Sequence, residues 1–482
     1  MISIKKNITL NLIKSLIAIL VPMASFTYVS RVFGATNLGK LDYSKSIVQY
    51  FVIIGESGIP IYAVREFAKV KANKKQANRL FTEMFVLCLC TMTLAYTLFV
   101  VFVHYFSSFS VYKYYILIYS LIIGLNSLNI EWMFIAHEDY VYISFRTIIF
   151  QVFFLLGTFL FVKASSEKYL IFYAALYVIC NHGYYILNLF LHKRYAQFDF
   201  STINLAKHII PILTVFAFTL SNSIYSIIDK TMLGAMAGDE QLGYYSLGTK
   251  LINVIVVLMN SIGAVFIARM TQYHEKKERT MFSTLARKGI NLIMFVSLPL
   301  AIIMLLFSRL IVNVIGGAGY ENSVCVARIM AIVTFILPLR MLIVNQILIP
   351  VGKEKLISSI TTLGILFNIC LNAVLIPLLK CEGASVATVA SESFIFIACI
   401  FCTWDTVNIK DLFVDTWQYF VAILLFPVYY YIFYWVIGVS IFSMILIVLI
   451  GCLSYLLVLY YLKNPFYHYI ENTIKNTIFH KS

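Results

Sequence analysis

Apolar residues fill this chain in long unbroken runs, and polar residues gather in the short breaks between them. Fourteen runs can be traced, over residues 10–29, 44–64, 80–106, 114–136, 141–163, 168–191, 209–228, 244–268, 289–315, 324–349, 356–379, 383–403, 416–437 and 440–462. A typical run is on the order of 20 residues, the length an α-helix needs to cross the hydrocarbon of a bilayer. Barrel strands would be about 10 residues long, with apolar and polar positions alternating. Backbone groups in lipid must also pair within their own segment, which favours helices. The pattern predicts an all-α polytopic membrane protein of about 14 transmembrane helices.

The breaks carry charge unevenly. Arg65, Lys69, Lys71, Lys74, Lys75 and Arg79 follow the second run, and Lys193, Arg194 and Lys207 follow the sixth. Arg269, Lys276, Lys277, Arg279, Arg287 and Lys288 follow the eighth, and Lys353 and Lys355 the tenth. These breaks share one side with Lys5, Lys6, Lys463, Lys475 and Lys481, while the opposite breaks hold at most two basic residues each. Because Lys and Arg accumulate in cytoplasmic loops, both termini are expected in the cytoplasm. The run at 10–29 is long enough to span and lacks a good cleavage site, so it reads as a first transmembrane helix and not a signal peptide.

Composition changes this picture little. Of 482 residues, 61% are hydrophobic and 12% charged, with a mean hydropathy of +0.88. Soluble domains hold about a quarter charged residues. The net charge of +15 would suit nucleic acid, but cytoplasmic loops account for it. The expected surroundings are therefore the lipid bilayer, with no nucleic acid. The nine cysteines are scattered, and Cys399 and Cys402 form a CxxC with no second pair or His cluster, so no metal site is expected. The run Gly316-Gly317-Ala318-Gly319-Tyr320 lacks the Lys-Ser/Thr of a phosphate loop and reads as a flexible turn. No nucleophile elbow or Walker motif appears, so neither an enzyme nor a bound cofactor is expected.

A repeat divides the chain. Ser30–Lys69 and Ala235–Arg269 share a pattern: Gly34, Leu38, Gly39, Val52 and Arg65 fall on Gly238, Leu242, Gly243, Val256 and Arg269 without a gap. Glu56 falls on Asn260. The matching runs are the second and the eighth. An even separation gives both copies the same orientation, as in transporters built from parallel repeats. The expected organisation is a six-helix lobe at 1–200, a second at 201–405, and two extra helices with a cytoplasmic tail at 406–482. Trp417, Tyr429 and Trp435 near the ends of the extra helices suit interface anchoring.

Charges inside the runs are the candidate functional residues. Each costs about 2.5–3.5 kcal/mol at mid-membrane and normally faces a cavity or a partner. Glu56 lies in Gly55-Glu56-Ser57-Gly58-Ile59-Pro60, where Gly and Pro break the helix. Such breaks are tolerated where they line a cavity. Glu56 could exchange a proton or hold Na⁺, or could cap the kink or pair with a base; Asp229 and Glu392 join it as coupling or gating candidates. Glu131 and Arg146 flank the turn at His137–Tyr140 by six residues each and suit a structural ion pair. Arg31, Lys45, Lys250, Arg328 and Arg340 could present positive charge to a central cavity. Arg binds phosphate bidentately, whereas Lys acts as a point charge. Arg31, Lys45, Arg309 and Arg328 near the helix ends could equally snorkel to the interface, and so could Lys14.

Several stretches occur in a consistent order: Ser30-Arg31-Val32-Phe33-Gly34, Asn37-Leu38-Gly39 with Tyr43, Glu56-Ser57-Gly58-Ile59, and Tyr62-Ala63-Val64-Arg65-Glu66. Asp229-Lys230-Thr231-Met232-Leu233-Gly234, Leu242-Gly243-Tyr244-Tyr245-Ser246 and Asn345-Gln346-Ile347-Leu348-Ile349-Pro350 follow. Together they resemble the Wzx-type polysaccharide-repeat flippases of the multidrug/oligosaccharidyl-lipid/polysaccharide exporter superfamily. The resemblance covers most of the first twelve runs. It implies a MATE-like fold and an undecaprenyl-pyrophosphate-linked oligosaccharide as substrate. It also implies a bacterial inner-membrane location, alternating access driven by H⁺ or Na⁺, and contact with a polymerase and a chain-length regulator. A MATE-type exporter of organic cations and a membrane polysaccharide polymerase are the competing readings.

Overall fold

The computed structural model describes residues 4–105, 107–436, 438, 440–469 and 471. The side chains of Lys5, Lys6, Lys14 and Asn260, and the whole of Lys475 and Lys481, lie outside the described residues. Among the described residues there is no β-strand, and nine helical runs are long and apolar enough to cross a membrane. Two of these runs contain a sharp internal break, at Gly34 and at Lys380, so helical runs and crossings are not the same count.

The chain forms two compact units, Met1–Ser246 and Leu247–Ser482. The first opens with α1 (Ile4–Glu56), which breaks at Gly34, where φ is 74° and ψ is 175°. After Glu56 the backbone turns left-handed at Ser57 and Gly58, and α2 (Ile59–Val70) starts with a proline in its first turn. Proline fits there because the first-turn amides have no intrahelical partner. The freed Gly55 carbonyl accepts the Thr91 hydroxyl at 2.7 Å, so the break is satisfied within the protein. A Cβ at Gly58 would come within 2.9 Å of the Phe216 amide nitrogen, so the broken segment also needs a residue without a side chain.

The first unit continues with α3 (Lys74–Tyr105), α4 (Lys113–Asn126), α5 (Glu131–Ala136), α6 (Tyr140–Phe161), α7 (Glu167–His182) and α8 (Tyr184–Leu191). Then come α9 (Ala206–Ala237) and the start of α10 (Asp239–Glu275). α1 is the hub, packing on α3, α4, α6 and α9. Asp139 caps α6 by accepting the Tyr142 amide.

In the second unit, α11 (Arg279–Gly316) packs on α12 (Ser323–Leu342), and α12 on α13 (Glu354–Cys402). α12 runs into a wide helical turn at Ile343–Leu348, where the Ile349 amide reaches back to the Val344 carbonyl at 2.9 Å. The Gly316–Tyr320 segment ends in Tyr320, which is fully buried. Its chain direction is set by left-handed Gly317 and Gly319. The last elements are α14 (Ile409–Leu412), α15 (Trp417–Ile423), α16 (Leu425–Val436) and α17 (Ile441–Tyr461). They dock on α11 through polar groups. Arg287 pairs with Asp415, and the buried Tyr419 hydroxyl donates to Asn291 Oδ1 at 2.9 Å.

Candidate functional site

Two interior arginines are held by acids. In the first unit, α6 carries Arg146, whose Nη2 donates to Glu131 Oε2 at 3.0 Å and whose Nη1 donates to Asn188 Oδ1 at 2.7 Å. Its guanidinium also stacks 4.0 Å from the centre of the Tyr184 ring. The buried cation thus has a charge partner, an amide and an aromatic face. In the second unit, Arg340 Nε donates to Glu392 Oε2 at 2.7 Å, with Nη2 3.4 Å from Oε1. Arg340 stands in the sequence reading as a cavity cation and Glu392 as a coupling acid; in the structure they hold each other. Both side chains are largely buried, so each neutralises the other in a medium where an unpaired charge is costly.

The remaining candidates are more separate. Lys45 Nζ sits 4.2 Å from the centre of the Tyr177 ring. Asp229 is buried and accepts the Tyr245 hydroxyl at 3.0 Å. Arg31 and Arg328 are exposed, and Arg328 Nε donates to the Ser308 hydroxyl at 3.0 Å. Lys250 is half-buried. Glu56 is half-buried at the end of α1, beside the left-handed break, with no hydrogen bond or ion pair among the described residues. It therefore differs from Glu131 and Glu392, which are both engaged by arginines.

One cluster is absent from the sequence reading. Glu83, one turn inside the third apolar run, is fully buried. Its Oε1 accepts Arg79 Nε at 3.1 Å and the Asn204 amide at 2.9 Å, while Oε2 accepts Lys207 Nζ at 2.8 Å and faces His208 Nε2 at 3.0 Å. An ionised carboxylate only accepts, so Nε2 carries the proton. In the neutral ring Nδ1 then accepts from the Tyr62 hydroxyl, 2.8 Å away. The segment before α9 is fastened along the same helix. The Gln197 amide donates to Asn78 Oδ1 at 2.9 Å and the Asp199 amide to Thr82 Oγ1 at 2.8 Å. The break between the sixth and seventh runs is thus a strap laid along α3, not a loose tether. Its signal in the sequence is Arg79 four residues before an acid inside an apolar run.

A neighbouring turn holds a second polar knot. The His137 ring stacks 4.1 Å from that of Tyr195, whose hydroxyl donates to Asp139 Oδ2 at 2.6 Å, and Arg194 pairs with the same oxygen at 3.2 Å. Burial holds the His137 imidazole below its ordinary pKa and pushes the Tyr195 phenol up to about 12.

The polysaccharide biosynthesis protein family matches residues 4–274, more than half of the chain. The chain belongs to that family. The MatE family also matches residues 211–374. A relative from Escherichia coli K12, carrying the name "Putative O-antigen transporter", is 22% identical over 383 residues, covering 78% of this chain and 91% of its own. Among solved structures, an inward-facing multidrug resistance MATE family transporter of the MOP superfamily has a TM-score of 0.67 at 13% identity. It covers 82% of this chain and 94% of its own. The lipid II flippase MurJ in an inward closed conformation has a TM-score of 0.63 at 16% identity, covering 91% and 98%. This member of the polysaccharide biosynthesis family is a multi-pass membrane protein with a MATE-like fold.

Proposed function

We propose that the protein is a flippase for an undecaprenyl-pyrophosphate-linked oligosaccharide repeat unit of O-antigen or capsule type. The observation that carries this reading is the family match over residues 4–274, joined to near full-length similarity to a relative named as an O-antigen transporter. The sequence repeat supplies the two halves for alternating access. The basic breaks orient both termini to the cytoplasm of a bacterial inner membrane. A polymerase and a chain-length regulator are its proposed partners.

Among the cations, Lys45 suits a pyrophosphate best: its ammonium lies over an aromatic face with Asp42 as an acidic neighbour, whereas Arg146 and Arg340 are bound directly to carboxylates. Arg31, Lys250 and Arg328 remain further contacts in the proposal. Glu56 is the acid proposed to couple transport to H⁺ or Na⁺, with Asp229 beside it as a gating candidate. Deleting the gene should trap lipid-linked repeat units on the cytoplasmic face; surface polysaccharide made at the normal rate would defeat the proposal. Glu56→Gln should insert normally and transport at least tenfold more slowly. The MatE match over residues 211–374 supports a second reading, export of organic cations. Increased sensitivity to cationic dyes on deletion, with normal surface polysaccharide, would favour it.

A further inference from the structure

Between the end of α13 and the start of α14 the chain makes a short polar loop, and its shape is fixed from within the second unit. The Thr406 and Val407 amides both donate to the Thr403 carbonyl, at 2.8 and 2.9 Å. Asn408 Oδ1 accepts the Lys410 amide at 3.1 Å. Thr403, Val407 and Leu412 are buried and seat the segment, and α14 packs on α11. Lys353 ties the end of α13 as well, its Nζ donating to the Cys402 carbonyl at 2.8 Å. A loop tied at so many points holds an open cleft beside it. The cleft has a volume of about 390 Å³ and lies between this loop and the first turns of α11. Clefts that take small molecules measure roughly 300–1,000 Å³.

The groups that line the cleft are of both signs. Arg279 and Ser283 come from α11, Lys410 and Asp411 from α14, and Trp404 and Asp405 from the loop. Among the described residues, Arg279, Lys410 and Asp411 make no ion pair. Asp405 has only a long one, 3.7 Å from Lys353, and its own side chain is 90% exposed. The cleft also borders lipid. Trp404 and Trp417, at the two ends of the segment that carries it, are both exposed. Indole rings settle at headgroup level, so these two mark the depth of the cleft. Behind Trp404, the α13 residues Phe401, Ile397 and Phe394 are exposed too. Their spacing puts them on one face of the helix, an apolar stripe that leads from the membrane span to the cleft.

We propose that the cleft binds the headgroup of a zwitterionic phospholipid, phosphatidylethanolamine. Its phosphate sits on Arg279 and Lys410, its ammonium on Asp405 and Asp411, and an acyl chain lies along the α13 stripe. Arginine and lysine both bind phosphate, the first as a fork and the second as a point charge, and the Ser283 hydroxyl is a further donor. Carboxylates accept from the N–H groups of a primary ammonium, which a choline lacks. The Trp404 face attracts a cation of either kind. The four lining charges sum to zero, as do those of the headgroup, so neither side is left with an uncompensated charge. A purely anionic lipid would satisfy the two cations alone. The site lies within the second unit and does not depend on what the protein transports.

The test uses the full chain in detergent, stripped of bound lipid, and native mass spectrometry with added lipids of one acyl composition. Phosphatidylethanolamine should bind at least fivefold more tightly than phosphatidylcholine or phosphatidylglycerol. Arg279→Gln/Lys410→Gln should weaken phosphatidylethanolamine and phosphatidylglycerol alike, by at least fivefold. Asp405→Asn/Asp411→Asn should erase the preference for ethanolamine over choline and leave phosphatidylglycerol bound as before. All four side chains are exposed, so the variants should melt with the wild type. Equal binding of the ethanolamine and choline lipids to the wild type would reduce the cleft to ordinary lipid contact and overturn the proposal. Tighter binding of phosphatidylglycerol would overturn the zwitterionic assignment. Full competition by glycerophosphoethanolamine, which has the headgroup without acyl chains, would assign the cleft to a soluble ligand instead of a lipid.

Discussion

Glu83→Ala is the perturbation whose cost can be worked most directly from the structure. Of its four donors, the Arg79 and Lys207 side chains are 38% and 44% exposed and would return to water on truncation. Exposed pairs of that kind contribute at most about 1 kcal/mol each. The exposed Asn204 residue can turn its amide to water at a cost of about 1 kcal/mol, but the buried His208 ring would lose its acceptor, and an unsatisfied buried donor costs about 1–3 kcal/mol. The sum is roughly 3 kcal/mol, concentrated on the strap, and Glu83→Gln should cost less because one acceptor oxygen remains. Every 1.4 kcal/mol is tenfold, so the open strap should become about 100-fold more populated. Trypsin reads that population directly, because cleavage follows the open fraction when opening is fast. Cleavage at Lys207 in detergent-solubilised protein should therefore accelerate by roughly that factor, with Glu83→Gln in between. Asp405→Ala, removing a 90% exposed acid 3.7 Å from Lys353, should change nothing. If Glu83→Ala were cut at the wild-type rate, the strap would be held by something other than this carboxylate.

Two further outcomes follow from the buried charges. Glu131→Ala strands Arg146 and should destabilise the fold by about 3–5 kcal/mol, whereas replacing both by apolar residues of similar size should recover most of that loss in thermal unfolding. Burial keeps the His137 pKa below its unfolded value, so its contribution is complete above about pH 6.5 and declines as pH falls and the unfolded chain takes up the proton. His137→Asn should flatten that acid limb in unfolding followed from pH 7.5 to 5, and an unchanged limb would exclude His137 as its source.

The helical class and the repeat were legible because both are written locally: continuous apolar runs, and glycines recurring at one spacing. The backbone agreement of Gly34 and Gly238, each with left-handed φ and extended ψ, gives that spacing a cause, since this conformation is open essentially to glycine alone. Glu131 and Arg146 could be paired on paper because a short turn lies midway between them. Arg340 and Glu392 could not, because 52 residues separate them and each, taken alone, looks like a charge seeking a ligand. Glu83 was harder still. Its local partner Arg79 is visible, but Asn204, Lys207 and His208 come more than 120 residues later, and nothing in their spacing points back to it. Pairings of this kind depend on helix packing, which periodicity alone does not specify.

The strap also bears on how the protein is made. Asn78, Thr82 and Glu83 emerge from the ribosome long before Gln197, Asp199, Asn204, Lys207 and His208, their partners in the finished fold. Until those residues are synthesised, Glu83 has Arg79 as its only partner of the four. Within the first unit, α3 is thus left incomplete until the residues just before and at the start of α9 are made. A chain that stops before residue 204 therefore lacks three of the four donors that the Glu83 carboxylate has in the finished fold.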